Sequence, residues 1–264
     1  MTFPGTSAAR RLVLLAMFLV LLCSCATIRY PLPAEDLRIT DPSVLIARLE
    51  SRRARISTVS TTGRISAKLS GMPMSGRITT LVNATGLVRL DAWTPTWDLV
   101  GSFTGDPDTF LYLSRFEGFC KTGNSSRAAI SRVLPIGLDY SSLARILLGS
   151  APLPAEVEFR IAWDTRTGLW LLSGQTTQGH LVRIWAEGDG VARRVVMNGP
   201  DGNADVRFED IIQVDGERFP TNIIIEMDSY RTSLVFKEIS VNEMTGSDDF
   251  QQICPEGFPI ISVE

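Results

Sequence analysis

Few residues in this chain can do covalent or metal chemistry: four cysteines and a single histidine among 264 residues. His180 sits beside Gly179 at the expected start of a strand, where a surface or turn role is the expected one. One imidazole cannot build the multi-histidine sites that hold catalytic metals. The sequence has no Gly-x-Ser-x-Gly elbow, no phosphate-binding loop and no dinucleotide fingerprint. Acidic residues cluster at Asp248-Asp249 and at Asp205, Glu209 and Asp210. Such clusters are more often solvated turns than a carboxylate dyad or a calcium site, although strands can bring distant acids together. The expectation is a protein that is not an enzyme and uses no cofactor or metal.

The cysteines carry more information. Leu12 to Leu22 is an unbroken apolar run preceded by Arg10 and Arg11. Its eleven residues are too few to cross a bilayer, which takes about 20, and fit the apolar region of a signal peptide. The run ends in Leu22-Cys23-Ser24-Cys25, which resembles a lipobox with Cys25 as the lipidated residue. Cys23 fits badly, because bulky Leu22 would then stand at the cleavage point. Residues 1–24 are thus expected to be a lipoprotein signal peptide. Cleavage would leave 240 residues (264 − 24) with a net charge of −5, since the signal removes two arginines from −3. No dense run of Lys and Arg remains, which argues against nucleic acid and against a polybasic membrane patch. A lipidated cysteine with several chains, palmitate among them, anchors firmly where one chain binds marginally. Ala26 rather than Asp after the anchor resembles the pattern that sorts lipoproteins to the outer membrane, facing the periplasm.

Cys120 and Cys254 remain. Outside the cytoplasm two lone cysteines often pair. The alternative is two separate buried thiols, and a free-thiol count distinguishes them.

Residues 25–40, with Pro31 and Pro33 and no clear period, read as a tether. Asp41-Pro42 reads as a helix cap followed by proline in the first turn, with Leu45 and Leu49 on one face of a helix reaching about Ile56. The period then becomes two. Ile65, Ala67 and Leu69 alternate with Arg64, Ser66 and Lys68. Val88, Leu90 and Ala92 alternate with Arg89 and Asp91, and Val157, Phe159, Ile161 and Trp163 with Glu158 and Arg160. Further strands follow, separated by Gly- and Asp-rich turns. The fold class expected is mainly β with α: an antiparallel meander, apolar on one face, coiled into an open or closed barrel. Ser125–Val133 and Asp139–Leu148 interrupt it as two short helices, with Leu143, Ile146 and Leu147 on one face.

Three segments carry a family resemblance. The first is Leu134-Pro135-Ile136-Gly137-Leu138-Asp139-Tyr140-Ser141-Ser142-Leu143 through Leu147-Leu148-Gly149. The second is Leu87–Pro95 followed by Trp97–Phe103, and the third is Phe219-Pro220-Thr221-Asn222. Together they resemble the LolA/LolB lipoprotein-carrier family, chiefly the LolB branch. The tail through Pro255-Glu256-Gly257-Phe258 is more similar to the LolA ending. The likeness spans residues 41–264, with the helical insert at 125–149. Two features depart from it. Pro95-Thr96-Trp97 stands where LolB proteins show Pro-Leu-Gly, so the projecting Leu is missing, and the two internal cysteines lie outside the pattern.

The resemblance implies a half-barrel with a helical lid over a cavity for acyl chains, with lipoprotein or lipid as cargo and a periplasmic carrier protein as partner. The candidate wall is Ile65, Leu69, Val88, Leu90, Phe159 and Ile161. The candidate lid is Leu143, Ile146 and Leu147. Trp93 and Trp97 flank the expected tip, where they would touch membrane or cargo. Each has a plainer reading, as solid core or as packed tryptophan. A filled interior would instead make the chain a non-catalytic scaffold or interaction module of the envelope.

Overall fold

A computed structural model describes residues 29–69, 72–134, 136, 138–154, 156–177, 179–199, 202–228 and 230–263. The signal segment, Cys25 and the start of the tether lie outside the described residues, as does the side chain of Leu69.

Helix α1 spans Pro42–Arg55. The Asp41 carboxylate accepts the Ser43 N–H at 2.8 Å, and Pro42 fixes the first turn. Leu45, Leu49 and Arg52 are its buried residues. Six strands follow as a meander: β1 (Thr58–Leu69), β2 (Met72–Asn83), β3 (Val88–Trp93), β4 (Leu99–Gly105), β5 (Thr109–Ser114) and β6 (Phe119–Asn124). Two helices come next, α2 (Arg127–Ser131) and α3 (Tyr140–Leu147). A second meander runs through β7 (Arg160–Asp164), β8 (Leu169–Gln175), β9 (Leu181–Ala186), β10 (Ala192–Gly199), β11 (Gly202–Val214), β12 (Glu217–Met227) and β13 (Tyr230–Val241). The last strand is β14 (Ile260–Val263).

All fourteen strands form one sheet, in the order β14-β6-β5-β4-β3-β2-β1-β13-β12-β11-β10-β9-β8-β7. The two meanders join where β1 pairs with β13. The sheet is open, and β6 and β7, which lie toward its opposite margins, are connected by the helical insert. The insert therefore crosses the concave face from one margin to the other, with α2 against β6 and α3 against β2. At Gly63 a register shift sits between β1 and β13. A Cβ there would lie 2.2 Å from the Val235 carbonyl oxygen, so only glycine permits this approach.

The antiparallel register defines two ends. The base carries the β2–β3, β4–β5 and β9–β10 turns and both long helices. Tyr140 of α3 donates its hydroxyl to Gly86 O at 2.7 Å, and Arg48 of α1 reaches Gly188 O. The tip carries the β3–β4 turn (94–98) and the β5–β6 turn (115–118).

Two segments differ from the sequence-based expectation. The strand β6 has no polar–apolar alternation to announce it, because Cys120 on one face is as buried as the core. The tail does not continue the antiparallel meander: β14 adds to β6 in parallel. Cys120 and Cys254 are joined by a disulfide, Cys120 N–H donates to Pro259 O at 2.9 Å, and Arg89 donates to Asp249 O and Gln251 O. The tail is thus strapped across the outer face of β3–β6. Part of the tether is also docked. Tyr30 N–H donates to Thr165 O at 2.6 Å, the Tyr30 ring packs on Gly168, and Ile39 is buried.

Candidate functional site: an apolar mouth beneath a helical insert

Along the concave face, the longer inward side chains lose burial from base to tip. On β2 the inward series runs from Val82, fully buried, through Ile78 to Met74, 57% exposed. On β10 and β12, Val195, Ile223 and Ile225 are buried, whereas Met197 and Met227, nearer the tip, are only half-buried. On β1, Val59 is buried and Ile65 half-buried. Val133 and Leu134, between the two helices, are likewise half-buried against the same core. The base is packed solid; near the tip Met74, Met197 and Met227 are partly exposed and form an apolar mouth of unbranched, polarizable side chains, while Ala67, Val182, Ala204 and Thr232 between them stay buried.

The six wall residues divide along this gradient. Val88 and Leu90 lie in the solid base, packed in one core with Leu143, Ile146 and Leu147 of α3. Ile65, Phe159 and Ile161 are half-buried against that core, the last two beside the open margin at β7. Five of the six wall positions and all three lid positions therefore belong to one continuous apolar body.

The insert is held by named contacts. Asp139 caps α3, its carboxylate accepting Ser142 N–H at 2.9 Å and the Ser141 and Ser142 hydroxyls at 2.7 Å. Burial raises the Asp139 pKa, but the Ser142 and Ser141 hydrogen bonds outweigh it, and the net effect is a lowering. Arg52 of α1 is only 3% exposed. Its guanidinium donates to Gly149 O, just past α3, at 3.0 Å and to Arg218 O on β12. Its Nε–H has no partner among the described residues. Burial lowers its pKa, opposed by Glu217. A buried cation held by carbonyls ties α1, the end of α3 and the sheet together at a desolvation cost. The spacing Leu45, Leu49, Arg52 places this arginine on the apolar stripe of α1, a signal that was available in the sequence and missed there.

At the tip, Trp93 and Trp97 have ring centroids 6.0 Å apart but different roles. Trp93 is half-buried and donates its indole N–H to Thr79 Oγ1 at 3.0 Å. Trp97 is 49% exposed and has φ 69°. Its N–H donates to Thr94 O, and Thr94 N–H donates to Asp98 O. This is a short hairpin loop with a left-handed residue, a position that normally takes glycine. Thr94, Thr96 and Asp98 hold it through side-chain hydrogen bonds.

A separate groove of about 350 Å³ lies at the base, lined by Arg53, Asn83, Pro107, Ser141 and Arg145 among others. None of the wall residues borders it, and its mixed polar lining does not suit an acyl chain. His180 lies against Gly199. Asp205 pairs with Arg194 and Arg207, Glu209 accepts from Asn222, and Asp248 and Asp249 cap the turn before Gln251. Among the described residues no group of three His, Cys, Asp or Glu is placed to hold a metal ion, and no helix is long and apolar enough to cross a membrane.

No protein-family model matches the chain, and no curated protein sequence does either. Solved structures do match. A DUF1329 family protein from Desulfovibrio piger superposes with a TM-score of 0.60 at 11% identity, over 79% of this chain and 95% of that one. A LolA superfamily protein from Nitrosomonas europaea gives 0.56 at 12%, over 81% and 99%. A domain described as an outer membrane lipoprotein-sorting protein, from Vibrio parahaemolyticus, gives 0.56 at 12%, over 78% and 95%. Identities this low speak to architecture alone. One open, mostly antiparallel sheet with its helices across the concave face, shared with these proteins over nearly their full lengths, makes the fold of this chain LolA/LolB-like.

Proposed function

We propose that the chain binds acyl chains of lipoproteins or lipids in the apolar mouth at the tip, as a LolB-like lipoprotein of the envelope. The carrying observation is the burial gradient: a concave face solid at the base and partly exposed at the tip, beneath helices that cross that face. The match to a lipoprotein-sorting domain and to a LolA superfamily protein supports the reading. So does the resemblance of Leu22–Cys25 to a lipobox, which would anchor the chain through Cys25 at the outer membrane, facing the periplasm, with a soluble carrier as delivering partner.

The chemistry asks for no catalyst. Each buried methylene gains about 0.8 kcal/mol. A bilayer offers nearly the same, so transfer between two apolar sites is set by small differences. A chain entering the mouth reaches the solid base only if α3 yields, and Arg52 holds α3 at Gly149.

The rival reading, a non-catalytic interaction module, draws on the filled base. One substitution separates them. Met227→Glu puts a charge of the same sign as a fatty-acid carboxylate into the half-buried mouth without touching the base. Fluorescent fatty-acid binding is expected to fall at least about tenfold, the ~1.4 kcal/mol equivalent of a partly desolvated charge, at unchanged circular dichroism. Unaltered binding, or none by the parent chain, favours the interaction module.

A further inference from the structure

Strand pairing assembles a cationic stripe from residues far apart in sequence. On the convex face, Arg64 of β1 stands directly opposite Arg77 of β2, and Lys68 of β1 directly opposite Arg231 of β13. Like charges placed opposite each other destabilise a sheet. Among the described residues no salt bridge reaches Arg64, Lys68 or Arg77. Arg231 meets Glu226 at 3.3 Å, a carboxylate that Arg207 shares. The neighbouring strands are built otherwise: Arg194, Asp205, Arg207 and Glu226 alternate in sign and neutralise one another. The other acids near the stripe are Glu238, opposite Thr62, Asp91, opposite Thr79 and held by Arg89 and Ser102, and Asp98, engaged by Thr96.

The stripe leads to the tip. The Arg77 guanidinium lies 4.7 Å over the exposed Trp97 ring, with exposed Met74 on the same strand. An indole held out in a glycine-like conformation beside unpaired cations matches the depth profile of a bilayer surface, phosphate outside and apolar boundary within. We propose that this face docks on an anionic phospholipid surface, with Arg64, Lys68 and Arg77 against headgroup phosphates and Trp97 at the interface. The exposed indole favours a bilayer over an acidic protein, which would need only the cations. The strap at Tyr30 sets the reach. Thirteen Cα-to-Cα steps lead from Cys25 to Arg38 (38 − 25), up to about 45 Å when extended, against about 40 Å for the length of twelve-residue β1. Release of Tyr30 from Thr165 therefore lets the tip reach the anchoring membrane.

The proposal rests on the acyl-binding reading for its purpose, and its test separates the two. The full chain is reconstituted in brominated phosphatidylcholine vesicles with and without phosphatidylglycerol. The Trp97 signal is taken as the difference from Trp97→Phe, and fatty-acid binding is measured on the same samples. Trp97 quenching is expected only with phosphatidylglycerol. It should vanish in high salt and in the Arg64→Gln/Lys68→Gln/Arg77→Gln variant, whose affinity for the anionic surface drops on the order of a hundredfold. Equal quenching in neutral vesicles, no quenching in either, or undiminished quenching in the triple variant overturns the docking proposal, even if fatty acid still binds. Phosphatidylglycerol-dependent quenching without fatty-acid binding keeps the docking face and rejects the acyl reading.

Discussion

Asp139 and Arg52 show how single residues hold the helical insert, and how unevenly the sequence reveals them. The cap was legible, because an aspartate before a helical period has one dominant use. Replacing Asp139 by Ala is expected to cost about 1 kcal/mol. The effect has a pH signature. The folded-state pKa of Asp139 is lowered, so the capping stabilisation is complete above the unfolded value and is lost as pH falls through the folded one. Thermal melts of the parent and Asp139→Ala should differ by a constant amount at neutral pH and converge in acid. A gap that persists in acid would mean that packing, not the carboxylate, carries the effect. The spacing put Arg52 on the apolar stripe, but arginines on a helix are read as its solvated face, so its role as a tie was not drawn from it. Only the burial of the stripe it shares with Leu45 and Leu49 reveals its carbonyl partners.

At the scale of elements, alternation located most of the strands, and turn residues most of their boundaries, because one face of the sheet is buried and the other is wet. The same logic failed at β6, where the tail covers the outer face and erases the contrast, and at β14, whose pairing is imposed by the Cys120–Cys254 link. Charge reading along the chain was blind to register in a related way. The chain has no Lys/Arg run, and a polybasic patch was not expected, yet register alone sets Arg64 by Arg77 and Lys68 by Arg231. The disulfide spans a sequence separation of 134 residues, and in the chain-entropy model such closure is worth about 5 kcal/mol. Cys254→Ser is expected to lower stability by up to that amount and to speed amide exchange in β6 and β14 more than in β12. Equal acceleration in all three strands would show that the tail does not protect its own margin of the sheet.

The whole molecule is one open sheet whose concave face is packed at the base and partly exposed at the tip. Sequence pattern foresaw a coiled meander with a helical insert, and the family resemblance its openness. It did not foresee the gradient, since Val88 and Met227 read alike as inward apolar positions although one is sealed and the other half-exposed. Periodicity reports the face of a strand, not the distance to whatever packs above it. The central claim concerns where a fatty tail sits, and photo-crosslinking measures it most directly. A fatty acid with a diazirine at its terminal carbon, irradiated with the full chain and mapped by peptide mass spectrometry, should label Val133, Leu134, Met197 and Met227. Adducts confined to the convex face or to the groove at Arg53 and Arg145, or none at all, would contradict the account.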